Sequence, residues 1–216
     1  HRWGVVKVPD ARLERLRELF RPRKFTPAEI TFADIMPPGG GGGAFRDALS
    51  VLAQADGFVL IVQCFGTLDA DGRPLDPVAQ FETILLEMTM ADFEHLSRRL
   101  ERIRTDRRHG AKVSPAELAL LERCHAHLAS DQPLRTLELR PDEEKLLRTY
   151  QFLSQKPLFV VANVGEEASG AAGADRLAEA AAARGLDLVK FCAPVEADIA
   201  LMEPEAQRAF LSEYGV

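Results

Sequence analysis

The sequence predicts an α/β fold: a mostly parallel sheet with an inserted α-helical hairpin. Three observations point to it. Short β-branched or apolar runs alternate with amphipathic stretches toward both ends of the chain, the pattern of strands joined by helices. Gly57 to Phe65, GFVLIVQCF, is almost continuously apolar, as in a strand buried on both faces of a parallel sheet. From about Val78 to Leu153 the apolar residues recur only at helical spacing.

The elements follow in order. Gly4 to Pro9, GVVKVP, is a strand closed by Pro9 and Asp10. Arg12 to Phe20 puts Leu13, Leu16, Leu19 and Phe20 on one helical face, and Pro22 ends it. Ala28 to Ile35 alternates like a strand, with Asp34 near its end. Pro37 to Gly43, PPGGGGG, is loop, and Ala44 to Ala55 is a helix. After Gly57 to Phe65 comes the polar loop Gly66 to Pro77. Two helical arms are expected next, carrying Leu85, Met88, Leu96 and Ile103, then Leu118, Leu121 and Leu128. Ser114 caps the second arm, with Glu117 completing a capping box. Pro141-Asp142-Glu143-Glu144 starts another helix with its acids at the favourable end. Pro157 to Val164 is a buried strand, Ala171 to Arg184 a helix stopped by Gly185, Leu186 to Ala193 a last strand, and Glu203 to Tyr214 a closing helix.

Composition narrows the function classes. The chain has 216 residues, 46% hydrophobic and 28% charged, the profile of a soluble globular protein able to bury a core without disulfides. A net charge of -6 argues against a DNA-coating protein, and no DNA partner is expected. Cys64, Cys124 and Cys192 form neither a disulfide framework nor a zinc pattern, which suits a reducing compartment; the expected location is cytoplasmic. No apolar run approaches the ~20 residues of a membrane helix, and no signal peptide is visible.

In open α/β sheets ligands sit beyond the carboxyl ends of the strands. Three strands here end in Asp34, Asn163 and Cys192. Singly, each reads equally as a cap or a small buried residue. In this order they resemble the nucleotide-binding segments of a GTPase-like domain. Longer stretches sharpen the likeness: GVVKVPDARLERL, AEITFADI, ADGFVLIVQCF, FETILLEMTMADFEHLSRRLERI, LELRPDEEKLLRTYQFLSQKP and KPLFVVANVGEE. Together they resemble the YchF (Obg-like ATPase) family over almost the whole chain.

That resemblance implies a GTPase-like (P-loop NTPase) domain interrupted by a coiled-coil insertion and followed by a TGS domain. On this sequence it places the α/β domain at residues 1–84 and 156–216 and the insertion at 85–155. It implies binding of ATP in preference to GTP, with Mg2+, and action on the ribosome. The base-reading Asn-x-x-Glu is matched by Asn163-Val164-Gly165-Glu166. A Glu there does not reproduce the Asp geometry that accepts the guanine N1 and N2 hydrogens. The plainer reading has Asn163 capping a strand and Glu166 solvated. The family's Ser-Ala-Lys loop is represented by Cys192-Ala193-Pro194, which keeps the alanine and loses the lysine. The Asp-x-x-Gly of the metal and γ-phosphate site becomes Asp34-Ile35-Met36-Pro37, and Pro37 has no N–H to offer phosphate. Asp34 is the remaining Mg2+ candidate.

No GxxxxGK[ST] motif occurs in the sequence. The likeness starts after the family's first strand and P-loop and stops before its TGS domain. A piece of a longer protein and a degenerate relative are both open. Two functions follow: a nucleotide-binding protein that acts on the ribosome, or a non-hydrolysing scaffold that binds protein or RNA. No general base is named. Arg98, Arg99, Arg102, Arg104, Arg107 and Arg108 crowd one arm, reading either as an RNA-phosphate contact or as a solvated face with Glu pairs. The histidines, His125 and His127 among them, do not form a metal set.

Overall fold

The computed structural model describes residues 2–35, 48–109, 112, 114–166, 171–203, 205–207 and 209. It divides into two compact units, His1–Leu49 and Ser50–Val216.

The first unit holds β1 (Arg2–Lys7), α1 (Ala11–Phe20) and β2 (Glu29–Asp34). Asp10 starts α1: its carboxylate accepts the Arg12 N–H at 2.9 Å and pairs with the same residue's guanidinium. Arg21, left-handed at φ 43°, closes the helix through its N–H to the Arg17 carbonyl. β1 and β2 pair antiparallel, with Arg2 opposite Asp34 and Lys7 opposite Glu29. β1 and β2 thus form a two-stranded antiparallel sheet of their own, unlike the parallel pairing that the alternation of elements suggests, because irregular residues 22–28 follow α1 and bring β2 in reversed.

Helix α2 (residues 48–52) spans the division between the units; residues 44–47 of the expected helix lie outside the described residues. The second unit continues with β3 (Phe58–Cys64), α3 (Pro77–Arg108), α4 (Pro115–Leu128) and α5 (Pro141–Leu147). Then come β4 (Leu158–Val164), α6 (Ala171–Ala183), β5 (Leu188–Phe191) and α7 (Ala193–Leu201). Its sheet is parallel in the order β3-β4-β5. Asp76 caps α3 by accepting the Val78 and Ala79 N–H groups, and Pro77 fits the first turn, where no intrahelical donor is needed. Ser114 Oγ accepts the Glu117 N–H at 3.4 Å to start α4. Glu143 closes back on the Arg140 N–H at 2.9 Å to start α5. Gly185, at φ +67°, allows the chain to leave α6 and enter β5.

Two separate cores form. Val62, Cys64, Val160 and Ala162 of the sheet pack against Phe81 and Leu85 of α3 and Ala174 and Leu177 of α6. Farther along α3, Leu96, Leu100 and Ile103 pack against Leu121, Cys124 and Leu128 of α4. The pairs Arg99–Glu117 and Ser97–His125 run in opposite senses along the two helices, so α3 and α4 are antiparallel.

Two differences from the sequence reading stand out. β3 is not buried on both faces: α3 and α6 pack on one, and Val59 and Ile61 on the other are 46% and 59% exposed. The last strand stops at Phe191, and Ala193 opens a helix instead of ending a strand. Pro194 explains the switch, since it cannot donate to a ladder and its fixed φ suits a helical first turn. Of the expected closing helix, residues 205–207 and 209 are helical, and 204, 208 and 210–214 lie outside the described residues.

Candidate functional site

The carboxyl ends of β4 and β5 bring together three of the residues the sequence singles out. Asn163 lies in the central strand, one residue before its end and opposite Phe191 of β5. Cys192 follows β5 as the N-cap of α7, and its side chain makes no capping bond. The Ala193 N–H is instead donated to Asn163 Oδ1 at 3.1 Å. A backbone N–H can only donate, so the atom facing it is the amide oxygen, which fixes the orientation of the Asn163 side chain. Asn163 thus performs the capping that Cys192 does not, from a neighbouring strand. Its NH2 group finds no acceptor among the described residues and offers two donors.

Val164 ends β4 half-buried, and Glu166 is exposed two residues on. Beside Asn163 in register stands Gln63 of β3, whose Nε2 donates to the Phe65 and Leu68 carbonyls at 3.0 and 3.1 Å. Gln63 fixes the loop leaving β3. The sequence signal for it, a single polar residue near the end of an apolar run, is the same as that of Asn163.

Asp34 is placed elsewhere. It is the exposed last residue of β2, in the first unit, whereas Asn163, Val164, Glu166, Cys192 and Ala193 belong to the second. Met36, Pro37 and the glycine run lie outside the described residues. Among the described residues no group of three His, Cys, Asp or Glu side chains is arranged to hold a metal ion. Mg2+ takes six oxygens, and Asp34 alone offers one ligand side chain. The fit is therefore uneven: the Asn163 amide suits the acceptor edge of a purine base, while the described residues supply no phosphate cradle. No chemical step is derived through nucleotide or metal.

The arginine cluster divides. Arg98, Arg102, Arg104 and Arg108 line one open face of α3 with Glu101 and Thr105. Arg107 is exposed in the last turn. Arg99, expected among them, turns inward instead: its guanidinium approaches Glu117 of α4 at 3.9 Å and lies over the Tyr150 ring at 5.9 Å. Two helical turns of sequence cannot reveal such partners, because both come from elsewhere in the chain. His125 bonds Ser97 at 2.9 Å against the Phe93 ring, and His127 bonds Thr136 at 2.9 Å. Both histidines join helices and turns to one another.

No family model matches the chain. It is 31% identical to the ribosome-binding ATPase YchF of Bacillus subtilis over 223 residues, covering 99% of this chain and 61% of the relative. It is 33% identical to the protein of the same name from Escherichia coli O157:H7 over 221 residues, with the same coverages of 99% and 61%. The chain is similar in sequence to these YchF proteins along almost its whole length. It spans 61% of the length of these YchF proteins. A solved structure of the YchF GTPase of Schizosaccharomyces pombe superimposes with a TM-score of 0.81 at 20% identity, over 99% of this chain and 61% of that one. The fold is thus of the YchF type, an α/β domain with a parallel sheet and a helical arm. Among the described residues, no helix is long and apolar enough to cross a membrane.

Proposed function

We propose that this chain is part of a cytoplasmic, YchF-type nucleotide-binding protein that prefers ATP to GTP, uses Mg2+ and acts on the ribosome. Its α/β domain comprises residues 1–84 and 156–216, with a helical insertion at 85–155. The two separate cores support that division. The observation that carries the nucleotide reading is the Asn163–Ala193 bond. It joins the two loops that would hold the base and leaves an amide NH2 for a purine ring nitrogen. Val164 would pack against base or ribose, and Glu166 would stand near the base edge. Cys192 and Ala193 would form the wall behind it. Asp34 is the proposed Mg2+ ligand.

A second reading is a non-hydrolysing scaffold that binds a protein or RNA partner. One specific observation favours it: the Ala193 N–H, a natural donor to a base, is already used by Asn163. Titration with fluorescent ATP and GTP analogues in the presence of Mg2+ separates the two. Saturable binding that prefers ATP supports the first reading, and no binding of either supports the second. In the first case Asn163→Ala weakens both nucleotides by about tenfold, the worth of one or two ligand hydrogen bonds. Glu166→Asp moves the ratio toward GTP, and an unchanged ratio removes Glu166 from the base site.

A further inference from the structure

Residues Tyr150–Pro157 carry the chain from the helical arm back to β4, and they are held along their length by different elements. The Tyr150 hydroxyl donates to Glu117 of α4 at 2.5 Å, and its ring stacks on Phe152. The Leu153 and Ser154 N–H groups donate to the two carboxylate oxygens of Asp92 on α3, at 2.8 and 2.6 Å. Ser154 accepts twice from the short turn Leu134–Thr136: its Oγ from the Leu134 N–H at 3.1 Å and its carbonyl from the Arg135 N–H at 2.9 Å. Lys156 Nζ then donates to the Leu52 and Ala53 carbonyls at 3.1 and 2.6 Å. Finally, the Pro157 carbonyl accepts the Phe58 N–H at the start of β3, at 2.9 Å.

These contacts differ from ordinary surface pairs. Asp92 is 3% exposed and Ser154 is fully buried. Burial raises the Asp92 carboxyl above its usual range and lowers the Lys156 ammonium, so each group relies on its partners. The Leu52 and Ala53 carbonyls lie at the end of α2, where a cation is favoured; the Leu52 carbonyl also accepts the Ala55 N–H at 3.2 Å, and the Val51 carbonyl accepts the Gln54 N–H at 3.0 Å. Only Gln155 separates the residue held by Asp92 from the residue that holds α2.

We propose that Tyr150–Pro157 is a strap that couples the C-terminal end of α2 to the helical arm, with Asp92 and Lys156 as its positioning residues. A shift at the end of α2 either breaks the Lys156 bonds or pulls the strap against Asp92. Packed elements of this kind exchange between discrete arrangements and do not deform smoothly. The coupling does not depend on nucleotide.

Hydrogen exchange read by mass spectrometry on the full chain tests it. Asp92→Asn should speed exchange of the Gln54 and Ala55 amides about tenfold, although Asp92 touches neither. Lys156→Met should do the same in reverse, speeding exchange at Leu153, Ser154, Leu134 and Arg135. Lys156→Arg should restore slow exchange at those four. Coupling is refuted if Asp92→Asn acts only at 153–154 while 54–55 stay unchanged, or if Lys156→Met acts only at 54–55. Should Asp92→Asn lose protection throughout β4, and so fail to fold, the Lys156→Met result decides alone.

Discussion

Cys124 shows how a single buried side chain ties stability to pH. It is fully enclosed between α3 and α4, and burial pushes its thiol up to about 11, well above the ordinary range of a cysteine. The raised value means the thiol form is favoured in the folded protein. Its contribution is complete below pH ~9 and is lost as pH rises through about 11, because the unfolded chain ionises first. The loss should reach about 3 kcal/mol, on the scale of 1.36 kcal/mol per pKa unit. Thermal melts from pH 8 to ~11 should show a steeper decline for the wild type than for Cys124→Ala; parallel curves would remove the assignment. At this scale the sequence was partly legible. Asn163 announced itself as a polar residue near the end of an apolar strand. Asp92 did not, since one acid on the apolar face of a long helix reads as surface until Leu153 and Ser154 arrive from sixty residues away.

Helix α3 shows where elements exceed what periodicity reveals. Its apolar stripe placed Leu96, Leu100 and Ile103 in a core, as helical spacing requires. The same spacing could not divide its arginines, because Arg99 is defined by Glu117 and Tyr150. The division bears on the proposed action on the ribosome. Arg98→Glu with Arg102→Glu should weaken co-sedimentation with ribosomes and flatten its dependence on salt, because both face solvent. Unchanged pelleting would exclude RNA contact on this face. Arg99→Glu should instead destabilise the arm by about 1–3 kcal/mol, by opposing Glu117 and breaking the ring contact. Circular dichroism melts distinguish the two classes of variant. The boundary between β5 and α7 is hidden from the sequence for a related reason. LDLVKFCA has strand-like composition, and the early stop comes from Pro194 together with the long-range Asn163 cap.

At the scale of the molecule, the second unit is a sheet core and an arm core threaded by one long helix, α3. Leu121→Ala, at a fully buried position of the arm, should cost about 3 kcal/mol. Amides of α4 should lose protection before those of β4, and hydrogen exchange would show the order directly. Simultaneous loss would make the two cores one cooperative unit. The sequence could announce an inserted helical segment, because its apolar period changes at Val78. It could not announce that Val59 and Ile61 of β3 would be exposed on the face away from α3 and α6, since a continuous apolar run looks alike whether one face is covered or two. That exposure makes mutational tolerance along β3 alternate with a period of two. Ile61→Thr should leave stability within ~0.5 kcal/mol, while Val62→Thr next door, burying an unpartnered hydroxyl, should cost roughly 1–3 kcal/mol. In a library of variants selected for folding, Val59 and Ile61 would drift toward threonine and lysine while Val62 and Cys64 stayed apolar. The uneven covering of the sheet would then be visible as a rhythm in the surviving sequences.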